Sequence, residues 1–181
     1  MPRRPIPDSS KELFRTDAKA DDGVVRVGGW ETRFTLNTQE ARWFAVESTE
    51  ANSPWIGCRG EPFRVVAALV MLVSLFGVLA FWPEGPGVDG TAVLGGASGT
   101  DNRADSYIVA RTMTTKFPLC AVLMEMTEQL SARDSWLRLS WVPRQQNEEA
   151  YVLTNACLEA FDPERRVHLD PPRHSGRSWA R

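Results

Sequence analysis

A chain of 181 residues fits one domain of ordinary size and leaves little length for a second. Its 43% apolar content and seven Trp exclude a disordered chain. A net charge of -2 excludes a basic footprint over the whole molecule, so any contact with nucleic acid has to come from a local patch.

Residues 1–12 are polar and contain Pro, and read as a flexible leader. The stretches Leu13–Ala18, Val24–Leu36 and Ala41–Ser48 are rich in Val, Trp, Phe and Thr. They are separated by Asp21–Gly23 and Asn37–Glu40, which predicts three strands of a meander. Glu61 and Pro62 mark a helix start, and the apolar run Val65–Trp82 continues it to the Pro/Gly cluster after residue 82. A fourth strand is expected over Ala92–Thr100 and a short helix over Ala104–Thr112. Pro118–Arg133 places Leu119, Val122, Leu123, Met126 and Leu130 at helical spacing. Trp136–Val142 alternates as a fifth strand, and Asn147–Asn155 predicts a last helix. The order predicts an α/β domain over residues 13–167, with a five-stranded mixed sheet carrying helices on its faces. Residues 168–181 read as a flexible basic tail.

Cys58, Cys120 and Cys157 form no CxxC pair, and His168 and His174 lie in a Pro/Arg-rich end, which argues against a disulfide framework or a zinc site. With no signal-peptide pattern in residues 1–22, an intracellular setting, cytoplasmic or nuclear, is expected. Residues 65–82 leave a single-pass membrane protein open, because the run is near the roughly 20 apolar residues a span needs. Against a span stand its short length, Ser74 and Gly77 within it, and flanks without clustered Lys/Arg.

Four motifs carry a resemblance. RTDAKA (Arg15–Ala20) lies in the first strand, SGTDN (Ser98–Asn102) closes the fourth, and TTKFPL (Thr114–Leu119) and WVPRQQNEEA (Trp141–Ala150) follow. In this order they resemble the ribonuclease H domain that follows reverse transcriptase in DIRS-like and related retroelements. The resemblance implies the ribonuclease H-like fold and hydrolysis of RNA–DNA hybrids, with two Mg²⁺ about 3.5–4 Å apart held by four clustered carboxylates. It implies Asp17 and Asp101 as catalytic metal ligands. At the two remaining positions, where the family leads one to expect acids, stand Val70 and Tyr151.

Losing half the carboxylates implies weakened Mg²⁺ binding and little or no turnover, so whether the chain is an enzyme stays open. The alternative is a non-catalytic module that binds nucleic acid or protein on the same fold. Taken singly, Asp17 reads as a residue beginning a turn and Asp101 as a helix cap. Glu148 and Asp105 are nearby acids that read better as solvated helix residues, and Glu61 lies too far from position 70 to replace it. For contact with a hybrid the resemblance favours Asn102 and Asn147, with Lys116, Arg144, Arg15 and Arg111 as cationic candidates. A reverse transcriptase domain is the protein partner it implies.

Overall fold

The structure, a computed structural model, describes residues 12–21, 23–57, 66–82, 94–100 and 117–169. Asp101, Asn102, Asp105, Arg111 and Lys116 lie outside these residues, as do Glu61 and the helix expected over 104–112.

Strands β1 (Glu12–Asp21), β2 (Val24–Glu31) and β3 (Trp43–Thr49) form the expected antiparallel meander. After helix α1 (Val66–Phe81), β4 (Leu94–Thr100) joins parallel to β1. Helix α2 (Leu119–Ala132) then leads to β5 (Ser135–Trp141), parallel to β4, and helix α3 (Glu148–Thr154) follows. The sheet order is β3-β2-β1-β4-β5, so β1 is the central strand of a mixed sheet.

Period-two alternation sends the side chains of the meander to two faces. Phe14, Val25, Val27, Phe44 and Val46 turn to the face covered by α1 and α2, where the main core also takes in Val122 and Met126. Trp30 and Trp43 turn to the other face and form a smaller core with Ala150 and Leu153 of α3 and with Phe161.

Helix α1 is apolar on every side because every side is covered. Leu69, Met71, Val73, Leu75 and Val78 are fully buried. The hydroxyl of Ser74 donates to Val70 O at 3.0 Å, which satisfies its one polar side chain. The helix sits close on the sheet at Gly77, where a Cβ would lie 2.3 Å from Phe14 Cε2. Phe14, Phe44, Phe76 and Phe81 close the contact with ring centroids 5.7–6.1 Å apart. The long buried helix expected from the sequence is thus a core element. Among the described residues no helix is long and apolar enough to cross a membrane.

The largest boundary difference from the sequence expectation among the described strands is at the end of β2. The strand expected to reach Leu36 ends at Glu31, whose carboxylate binds the Arg42 guanidinium at 2.8 and 3.0 Å. That hydrogen bond raises Arg42 above its ordinary pKa, and burial opposes it less strongly. Arg42 Nη1 also donates to Ala80 O at 3.3 Å, placing a cation at the C-terminus of α1. Thr32 turns back to pair its N–H with Leu13 O at 2.9 Å, and the loop that follows is shaped by its own polar side chains. Asn37 N–H donates to Thr35 Oγ1 at 3.0 Å and Gln39 N–H to Asn37 Oδ1 at 3.1 Å. Phe34 and Leu36 are left on the surface, each 73% exposed.

Candidate functional site

Asp17 lies midway along the central strand, opposite Gly28 in register and on the face that carries α3. A glycine is required opposite it. A Cβ at position 28 would lie 2.6 Å from Leu153 Cβ, so the missing side chain lets α3 approach the sheet beside Asp17.

Asn147 and Thr154, seven positions apart, bring α3 onto β1, and Tyr151 stands between them at helical spacing. At one end Asn147 Nδ2 donates to Thr16 O at 3.1 Å. At the other the hydroxyl of Thr154, wholly buried, donates to Asp17 Oδ2 at 2.8 Å. Arg15 donates to Gln146 O and Lys19 Nζ to Asn155 Oδ1, the latter at 3.0 Å, so polar contacts lace the whole length of the β1–α3 seam.

The Thr154 hydroxyl has one hydrogen and two acceptors, Asp17 Oδ2 and, at 2.9 Å, Tyr151 O. Tyr151 O already receives Asn155 Nδ2 at 2.8 Å. The carboxylate is the stronger acceptor and has the better claim on the hydrogen.

The remaining expected positions are placed as follows. Val70 is 4% exposed and lies seven residues before Gly77, hence on the same stripe of α1 that rests on β1. Tyr151 is half-buried on α3, one turn before Thr154. The guanidinium of Arg144 lies over its ring, with Cζ 4.4 Å from the centroid. Arg144 is exposed and its guanidinium makes no hydrogen bond or ion pair among the described residues. Glu148 is exposed.

Asn147, expected at a nucleic-acid surface, is 1% exposed, and its Oδ1 has no partner among the described residues. With its amide donated to Thr16 O, it ties the start of α3 to β1, and without a rearrangement it cannot reach a duplex lying outside. Arg15 is likewise occupied, by Glu12 Oε1 at 2.6 Å and by Gln146 O.

Sequence reasoning missed Thr154 as the partner of Asp17 and the pairing of Arg144 with Tyr151. The spacing of Thr154 from Asn147 was the available signal for the first. The seven-position offset of Tyr151 from Arg144 gives none for the second, because Arg144 lies in the 3-10 turn Arg144–Gln146 before the helix.

Among the described residues no group of three or more His, Cys, Asp or Glu is placed to hold a metal ion. At this site they supply one carboxylate, Asp17. At the two positions where the resemblance leads one to expect acids, Val70 has no donor atom and Tyr151 lies under a cation rather than supplying negative charge for a dication. This part of the site does not fit a pair of Mg²⁺ ions.

No family model matches the sequence, and no curated protein matches it. Solved structures do match. An LC11-RNase H1 in complex with an RNA/DNA hybrid superposes with a TM-score of 0.52 at 14% identity, over 79% of this chain and 93% of that one. RNase H1 from the halophilic archaeon Halobacterium salinarum gives 0.49 at 15% identity, over 81% and 96%. The N-terminal RNase H domain of a Mycobacterium tuberculosis protein gives 0.48 at 16% identity, over 81% and 92%. The likeness to the first shows that the chain has a ribonuclease H-like fold.

Proposed function

We propose that the chain is a retroelement-derived ribonuclease H-like domain that keeps a surface for RNA–DNA hybrid and has lost most or all of its hybrid hydrolysis. The observation that carries this reading is the contact of α3 with the central strand, where Thr154 donates to Asp17 Oδ2, because Tyr151, one turn earlier on that helix, stands where the resemblance leads one to expect a metal-binding acid. Val70 is assigned as the other replaced acid from the resemblance alone. Asp101 is assigned as the second surviving carboxylate. It directly follows Thr100, the last residue of β4, and the parallel register sets Gly99 level with Arg15, two residues before Asp17.

The retroelement origin rests on the four sequence motifs, RTDAKA, SGTDN, TTKFPL and WVPRQQNEEA, and so does a reverse transcriptase domain as partner. Asn102, Lys116 and Arg144 are retained from the sequence as hybrid contacts, and of these Arg144 is an exposed residue.

A hybrid-cleavage assay tests the reading. The unmodified chain is expected near background, either single change to give little, and Val70→Glu with Tyr151→Asp to restore Mg²⁺-dependent cleavage, since metal ligands act as a unit. Mg²⁺ should also raise the melting temperature of the double variant and not that of the unmodified chain. Strong Mg²⁺-dependent turnover by the unmodified chain, abolished by Asp17→Asn, would refute it.

A further inference from the structure

Of the cations along the β1–α3 seam, most are already neutralised. Arg15 is taken by Glu12 and Gln146 O, and Lys19 by Asn155 Oδ1 and Asp21, the last at 3.4 Å. Arg144 differs. Its guanidinium is held by the face of Tyr151 at 4.4 Å, and none of its five N–H donors meets an acceptor among the described residues.

Stacking engages the flat face of a guanidinium and leaves the in-plane N–H fork open, which is the geometry that binds a phosphate through two parallel hydrogen bonds. The ring also restricts a long side chain that would otherwise lose much rotamer freedom on binding. An arginine held by an aromatic face, exposed and without an acceptor among the described residues, is therefore arranged in advance for an anion.

We infer that the Arg144–Tyr151 pair is a phosphodiester subsite in which an organic cation takes over the charge neutralisation that a metal–carboxylate pair would provide. This rests on the proposed hybrid-binding reading and deepens it. The substitution at position 151 then has two effects. It removes a metal ligand, and it supplies the ring that fixes Arg144. Hybrid binding by this chain is accordingly independent of Mg²⁺.

The test is equilibrium binding of a fluorescently labelled RNA–DNA hybrid to the unmodified chain and its variants over a series of salt concentrations. Binding is expected to be the same in Mg²⁺ and in EDTA at matched ionic strength. Arg144→Gln should weaken binding roughly ten-fold and lower the slope of log K against log salt by about 0.9, the loss of one phosphate contact. Tyr151→Leu should weaken binding several-fold, and Tyr151→Phe, which keeps the ring, should retain most of it. Inorganic phosphate at matched ionic strength should not displace the hybrid.

An unchanged slope in Arg144→Gln, with circular dichroism showing the variant folded, overturns the subsite and leaves the hybrid-binding reading standing. Binding that requires Mg²⁺, or displacement by inorganic phosphate, also overturns it. Absence of hybrid binding even at low salt overturns both.

Discussion

Replacing Thr154 by Val removes one oxygen and keeps the side chain's shape, so it isolates the contact between α3 and the central strand. Thr154 is wholly buried and Asp17 is 8% exposed, so water does not readily replace the lost donor. A hydrogen bond to a charged group contributes about 1.5–3 kcal/mol, which sets the expected loss. For a chain of this size that corresponds to a melting temperature lower by roughly 3–12 °C. Urea denaturation followed by circular dichroism measures the loss directly. In a double-mutant cycle with Asp17→Asn the two changes should couple, because Thr154 Oγ1 and Asp17 Oδ2 are 2.8 Å apart. If the hydroxyl instead gives its hydrogen to Tyr151 O, only a weak local bond is lost. A loss below about 0.5 kcal/mol with no coupling would refute the assignment of that hydrogen to Asp17.

Gly77→Ala should destabilise the fold by about 1–3 kcal/mol even though Ala favours a helix, because the added methyl meets the Phe14 ring. Thermal unfolding checks it, and a stabilised variant would show that the helix does not rest so closely on β1. Phe161→Ala should remove about 3–5 kcal/mol by opening the cluster it fills with Trp30 and Trp43. Hydrogen exchange should then quicken in α3 before the α1 side of the sheet; uniform quickening would mean the two cores are not separable.

Much of this architecture was legible because two periodicities mark it. The alternation of Trp136 to Trp141 marked β5, and the spacing of Leu119, Val122, Leu123 and Met126 marked α2. The end of β2 was hidden by the same rule. Phe34 and Leu36 continue the alternation, and only the capture of Glu31 by Arg42, eleven residues on, shows where the strand stops. The segment after α3 has no period at all, yet Phe161 lies against Trp43 with centroids 5.5 Å apart. Such burial depends on a partner more than a hundred residues away. Within the site, Asp17 was marked by its motif. Thr154 was not, since a hydroxyl on a helix more often bonds its own preceding turn, and here the structure offers it both choices.

The segment that carries Phe161 also determines what happens at the rim of the sheet. β3 is an edge strand, and an uncovered edge offers its backbone to any other extended chain. Trp43 O receives Val167 N–H at 2.7 Å and Ala45 O receives Arg166 Nη2 at 2.9 Å, while the Arg166 guanidinium lies over the Trp43 ring. These few residues occupy acceptors that a second molecule would otherwise use, and they give the edge a charged border. A chain cut before Arg166 would present that row of carbonyls to its neighbours, and concentration-dependent light scattering would register the aggregation that the short bridge to Trp43 holds off.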